Sequence, residues 1–260
     1  MPNLLQFDPN LFLGFVVIFA RVTGVIVAAP IFGDTTVPPQ VKAGLALLIS
    51  LVFYPLVTAP RIGADPSVFQ LVHLVTVETG VGLLLGFSAR LLMAGIELAG
   101  EVAGFQMGLG LANVIDPNSG TQIGLLGQMM SLFAALVLVM MDGHHLFIAA
   151  VAGSYAIVGP GQATLGEPAL HSFMMLAAQL FVIGLKVGAP LVVALLAANF
   201  AMGLMARSVP QMNVFVVGFP FTIGLGLVFL VIGFPFFVQA VAAVLKDLEM
   251  ILMAELRSLR

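Results

Sequence analysis

Val214–Leu245 reads VFVVGFPFTIGLGLVFLVIGFPFFVQAVAAVL, and the interval between Arg207 and Lys246 holds no charged residue. A bilayer-crossing helix needs about 20 mostly apolar residues, and this stretch is longer than that. It does not alternate polar and apolar residues in ten-residue pieces, as the strands of a membrane barrel would. It therefore predicts helix, interrupted by Pro220 and Pro235, each able to kink it. Further apolar stretches predicted as helices are Leu11–Ala29, Val41–Val57, Val68–Met93, Ile123–Met141 and Phe173–Phe200. With Val214–Ala243 they make about six hydrophobic segments, and the expected fold class is all-α and of the integral membrane type.

Composition agrees. Of 260 residues, 61% are hydrophobic and 8% charged, with 9 basic and 12 acidic side chains, where a soluble domain carries about 25% charge. Too little charge remains to coat a water-facing surface. A soluble enzyme, a disordered chain and a nucleic-acid binder are excluded. There is no cysteine, hence no disulfide and no thiolate site. The start has no basic residue before Arg21 and carries Asp8, so the first apolar run is expected to be kept as structure rather than cleaved as a signal. Asp8-Pro9 reads as an N-cap with proline at the first helical position.

Two features do not fit six plain rods. Val68–Ile115 is 48 residues without proline, about 72 Å if helical throughout, so it must bend, break or run outside the lipid. The last apolar region and its approach carry Pro210, Pro220 and Pro235. Broken helices in apolar chains are tolerated where protein or a water-filled cavity surrounds them, which points to a subunit packed into an assembly around a lumen.

Charges inside apolar stretches are costly and are functional candidates by default: Arg21, Glu78, Arg90, Glu97, Glu101, Lys186 and Arg207. Glu97 and Glu101 are one helical turn apart, with Arg90 seven residues before Glu97 on the same stripe. These three form the expected intramembrane polar network, as a proton relay or pore wall on one reading and as interhelical ion pairs on the other. Gly100, Gly104 and Gly108 repeat every four residues, a small-xxx-small pattern for close helix packing and a possible hinge. Gly108–Gly127 reads GLGLANVIDPNSGTQIGLLG, a cluster of turn formers between two apolar runs.

Asp142-Gly143-His144-His145 invites a metal reading. Neighbouring helix residues point about 100° apart, however, and no HExxH spacing supports it, so no metal is expected. With no nucleotide-binding loop and no nucleophile motif, neither a cofactor nor a catalytic residue is expected. The 14 methionines, among them Met107, Met129, Met130, Met140 and Met141, suit core filling or a deformable seal.

Four stretches carry a resemblance. They are Arg21-Val-Thr-Gly with Ala29-Pro30-Ile31-Phe32-Gly33; Gln106-Met107-Gly108 running to Asp116-Pro117; Asp142-Gly143-His144-His145; and Arg207-Ser-Val-Pro210-Gln211-Met-Asn213-Val-Phe215 with Gly218-Phe-Pro220. In order and interval the chain resembles the FliR family of flagellar export-gate proteins, whose injectisome counterpart is the T component. The family usually has an asparagine-like residue where Asp142 stands.

The resemblance implies a single export-gate domain over 1–260, P-like over about 1–165 and Q-like over about 166–260. It implies long, kinked helical hairpins packed with P and Q components in a helical hetero-oligomer. The expected setting is the bacterial inner membrane, in the flagellar basal body. Besides P and Q, the implied partners are the B-type switch component, exported flagellar proteins, the proximal rod and membrane lipid, but no nucleic acid. By the same resemblance a channel plug would comprise Ala112, Asn113, Val114, Ile115, Asp116, Pro117, Asn118, Ser119, Gly120, Thr121 and Gln122. Arg207, Pro210, Gln211 and Asn213 become subunit contacts. The implied function is non-enzymatic: lining and plugging the channel for unfolded flagellar proteins. A proton-coupled small-molecule transporter using Arg90, Glu97 and Glu101, or a purely structural scaffold, are the alternatives. Lys246, Arg257 and Arg260 favour a cytoplasmic C-terminal end.

Overall fold

In the computed structural model the described residues are 9–57, 67–110, 124–164, 166–208 and 214–260. They form seven helices: α1 (Pro9–Ala28), α2 (Pro39–Phe53), α3 (Val68–Gln106), α4 (Leu125–Met140), α5 (Gly143–Ile157), α6 (Glu167–Ser208) and α7 (Val214–Ser258). No strand occurs among the described residues, and the protein is all-α. Each of the six expected segments contains a helix. The seventh helix, α5, is 15 residues long, shorter than the roughly 20 residues of a bilayer span. Among the described residues, four helical stretches are long and apolar enough to cross a membrane, Leu11–Ala28, Val68–Gln106, Glu167–Ser208 and Val216–Ser258, and α4 with α5, bent by 71° at the break between them, are so when taken together.

The helix boundaries follow local chemistry. Proline opens α1 and α2, where its missing N–H costs nothing. Ser67 and Gln70 form a reciprocal cap at the start of α3: Gln70 N–H donates to Ser67 Oγ at 3.3 Å, and Ser67 N–H donates to Gln70 Oε1 at 3.0 Å. The 39 residues of α3 make a rod of about 58 Å. Its stop is a glycine C-cap. Gly108 is left-handed at φ +84°, Gly108 N–H donates to the Phe105 carbonyl, and Leu109 N–H donates to the Gly104 carbonyl, both at 3.0 Å. Paired bonds of this kind satisfy carbonyls that the end of a helix orphans. Helices α6 and α7 run for 42 and 45 residues, continuing through Pro190 in α6 and through Pro220 and Pro235 in α7.

The chain divides into two compact units, each discontinuous in sequence: Met1–Leu91 with Asp142–Leu176 and Asp247–Arg260, and Leu92–Met141 with Ala177–Lys246. The two parts expected from the resemblance, about 1–165 and 166–260, each contribute to both units.

In the first unit, α1 packs on α2 and α5, and it crosses α3 at glycine. A Cβ on Gly24 would lie 2.6 Å from the Thr79 carbonyl oxygen and 3.0 Å from the Gly82 Cα, and one on Gly82 would collide with the Arg21 carbonyl. The two backbones touch, as small residues permit. The C-terminal turns of α7 bury Leu248, Leu252 and Leu256, spaced by four on one face. Met253 packs over Gly153 of α5, and the Leu259 carbonyl accepts from Thr164 N–H at 2.9 Å.

In the second unit, α3 is again the axis. A Cβ on Gly95 would stand 2.7 Å from the Leu180 carbonyl oxygen, and one on Gly188 would stand 3.2 Å from the Ala99 Cβ, so α6 lies directly against it. A Cβ on Gly100 would lie 2.6 Å from the Leu126 carbonyl oxygen and 2.8 Å from the Gly127 Cα, which brings α4 equally close.

Candidate functional site

The α3–α4 hairpin holds the segment that the sequence singles out. Residues 111–123, which include the whole expected plug from Ala112 to Gln122, lie outside the described residues. Both of their anchors are described.

On the α3 side, Met107 is fully buried. Its carbonyl accepts from Thr222 Oγ1 of α7 at 3.1 Å, and its thioether lies over Gly226, whose Cβ would come within 2.6 Å of it. The Gln106 carbonyl accepts from Asn199 Nδ2 at 3.4 Å. Phe219 of α7 fills the space that a side chain on Gly108 would need. The α3 terminus is thus fastened to α6 and α7 by backbone carbonyls that a helix end would otherwise leave unpaired.

On the α4 side, the chain re-enters at Gly124 and is helical from Leu125. A Cβ on Gly127 would meet Glu101 Cγ at 2.8 Å, and one on Gly104 would meet the Leu126 Cβ at 3.4 Å. The two arms therefore touch within one or two turns of their ends. Of the three glycines in the sequence repeat, Gly100 and Gly104 face α4 inside the helix. Gly108 stands outside it and ends it.

The expected polar network is placed as follows. Arg90 and Glu101 are exposed and Glu97 is half-buried; the Glu97 carbonyl and the Glu101 side chain line the approach to Gly127. Arg207 is exposed at the end of α6. Pro210, Gln211 and Asn213 lie outside the described residues.

In the first unit, two of the charges the sequence singles out meet in a pairing that the sequence reading did not make. Arg21 and Glu78 are both fully buried and paired through two contacts, Nε to Oε2 at 2.7 Å and Nη2 to Oε1 at 3.1 Å. Arg21 Nη1 also donates to Ser154 Oγ at 3.0 Å and to the Val158 carbonyl at 3.1 Å. Its guanidinium carbon stands 4.2 Å from the centre of the Tyr155 ring, within range of a cation–π contact. Glu78 Oε1 accepts from Gly161 N–H at 2.7 Å, and Gly161 is left-handed at φ +75°. One ion pair thereby joins α1, α3, α5 and the turn after α5.

Both charges were visible as intramembrane candidates, but nothing in the sequence paired residues 57 apart. Their spacing to glycine offered a signal. Arg21 precedes Gly24 by three, and Glu78 precedes Gly82 by four, so each charge shares a helix face with the glycine at the crossing.

Asp142, His144 and His145 lie closer together than 100° per residue suggests. Their ligand atoms all fall within 4.8 Å of one another, and the two imidazole centres are 4.2 Å apart.

Residues 12–248 match the protein family described as bacterial export proteins, family 1. The chain belongs to that family. Among its relatives, the flagellar biosynthetic protein FliR of Bacillus subtilis (strain 168) is 32% identical over 226 residues, covering 86% of this chain and 86% of that protein. FliR of Pectobacterium carotovorum subsp. carotovorum is 34% identical over 216 residues, with 80% and 79% covered. FliR of Escherichia coli (strain K12) is 32% identical over 207 residues, with 80% and 78% covered. The resemblance noted from four short stretches therefore extends across most of this chain, and the chain falls among the FliR members of the family.

Proposed function

We propose that this chain is a non-enzymatic gate subunit of the flagellar export apparatus, and that residues 112–122 close the channel through which unfolded flagellar proteins pass. Family membership makes it a component of the flagellar export apparatus. The finer reading rests on one observation: the segment is strung between two anchors built from close packing. The described chain before it is fixed by the left-handed Gly108 and the buried Met107, and the described chain after it by the Gly100–Gly127 contact. A segment that must seal a passage and then move aside needs fixed ends and turn-forming residues between them. Asp116-Pro117-Asn118-Ser119-Gly120 supplies such residues.

Placement in the inner membrane, beside the P and Q components and the B-type switch component, belongs to the same proposal. Large apolar side chains exposed along α6 and α7, such as Leu185 at 68% and Val231 at 76%, support it, because lipid or apolar partner helices must cover them.

The test is conductance. Deleting Asn113–Gly120 in the assembled complex raises ion leak across the membrane while the complex still assembles. Leak that stays at the closed-state level in an assembled complex refutes the plug.

A further inference from the structure

Neither the hairpin nor the Arg21–Glu78 pair uses Asp142, His144 and His145, which meet where α5 begins. Their convergence has a cause in the backbone. Asp142 occupies the N-cap position, where an aspartate ordinarily accepts a hydrogen bond from the second or third helical N–H. Here it is left-handed, at φ 56° and ψ 29°, and its carboxylate makes no cap bond. The first turn is closed by backbone instead, with His145 N–H donating to the Asp142 carbonyl at 2.8 Å. The carboxylate, released from capping, stands with the two imidazoles rather than with the helix end.

We propose that these three side chains bind a divalent ion of the zinc class. Two imidazole nitrogens and one carboxylate oxygen form a borderline donor set that zinc, cobalt and nickel accept. Calcium and magnesium prefer oxygen ligands alone. Metal–ligand bonds to such groups are about 2.0–2.2 Å, so ligand atoms already within 4.8 Å of one another have to draw together further to close on one ion. The burial pattern suits entry and hold. Asp142 and His145 are exposed. His144 is half-buried and lines an apolar cavity of about 200 Å³ with Val22, Phe32 and Phe147, which restricts its ring. The positive end of α5 opposes a cation, and the Asp142 carboxylate offsets it. Three protein ligands leave a fourth position for water or for a partner's side chain.

The chain has four histidines; the other two, His73 and His171, are exposed and serve as controls. The full chain, purified in detergent with a tag that contains no histidine, is titrated with Co²⁺ and followed by its visible absorption, then challenged with Zn²⁺ and separately with Ca²⁺. The site predicts one Co²⁺ per chain, displaced by Zn²⁺ and not by Ca²⁺. H144A/H145A weakens binding at least about tenfold, D142N weakens it less, and H73A/H171A leaves it unchanged. Circular dichroism establishes that each variant keeps its helix content. A wild-type chain that binds no Co²⁺, a titration unaffected by H144A/H145A in a folded chain, or equal loss in H73A/H171A overturns the proposal.

Discussion

Replacing Glu78 by leucine tests the buried pair most directly. The substitution removes a carboxylate that accepts three hydrogen bonds, two from Arg21 and one from Gly161 N–H. It leaves a fully buried guanidinium held only by Ser154 Oγ, the Val158 carbonyl and the Tyr155 ring. Breaking a buried pair from one side costs about 3–5 kcal/mol, because the surviving charge stays out of water without its counter-charge. The orphaned Gly161 N–H belongs to the same loss and is not a separate addition. E78Q keeps the shape and one acceptor oxygen, but turns an amide NH₂ toward a donor, and falls between wild type and E78L.

R21L should cost a similar amount. The double variant R21L/E78L should cost much less than the sum of the two, since apolar replacement of a whole buried pair is often neutral or stabilising by about 1–4 kcal/mol. The assay is equilibrium unfolding of the detergent-solubilised chain by a denaturing surfactant, read as the midpoint shift of all four proteins in a double-mutant cycle. The coupling term carries the result. If the two single substitutions add, or if either alone costs under about 1 kcal/mol, the pair is not a buried, mutually dependent unit and the reasoning fails.

Two further outcomes follow from local geometry. G82A forces a Cβ into the Arg21 carbonyl of α1, separating the α1–α3 crossing and lowering stability, whereas G44A enters open space and raises stability by about 0.5–1 kcal/mol through helix propensity; equal effects of the two on the unfolding midpoint would refute backbone contact at the crossing. Between α1 and α2, the backbone N–H and hydroxyl of Thr36 hold the Asp34 carboxyl below its ordinary value of 3.8. A depressed folded value means that its contribution to stability is present above the unfolded pKa and is lost as pH falls through the folded one. Carboxyl ¹³C shifts should therefore show Asp34 more than half ionised at pH 3.8, and T36A, which removes the hydroxyl but keeps the backbone N–H that does most of the lowering, should bring its titration only part of the way back.

Hydropathy alone made the helices legible, because a chain this apolar has few ways to satisfy its backbone other than α-helix. Charge-free Val214–Leu245 and proline-free Val68–Ile115 each contain one long helix or most of one. What hydropathy did not show was where α3 stops. The stop depends on the handedness of one glycine among three equally spaced ones: Gly100 and Gly104 are read by a neighbouring helix, while Gly108 is read by its own backbone. Spacing cannot separate these uses, since all three lie on one stripe. Helix α5 was missed for a different reason. It is as long as α2, but it opens on Gly143-His144-His145 and bends by 71° from α4, so its polar start hides an apolar run behind a turn.

The two polar features also differ in what makes them readable. Arg90, Glu97 and Glu101 attracted attention because local periodicity places them together, yet two of the three are exposed. Arg21 and Glu78 are far apart in sequence, and their pairing depends on two glycine-bearing helices crossing at backbone distance. That dependence runs both ways. Without side chains at Gly24 and Gly82, α1 and α3 approach closely enough for a bidentate contact. Without the contact, the approach would seat an unpaired charge in an apolar core, which is among the costliest arrangements a protein can hold. The close crossing and the buried charge are thus one design, and the Gly82 and Glu78 substitutions probe it from opposite sides. Because they share the crossing, their effects should be non-additive: once G82A has parted the helices, E78L removes a pair already weakened and costs less than it does in the wild-type chain.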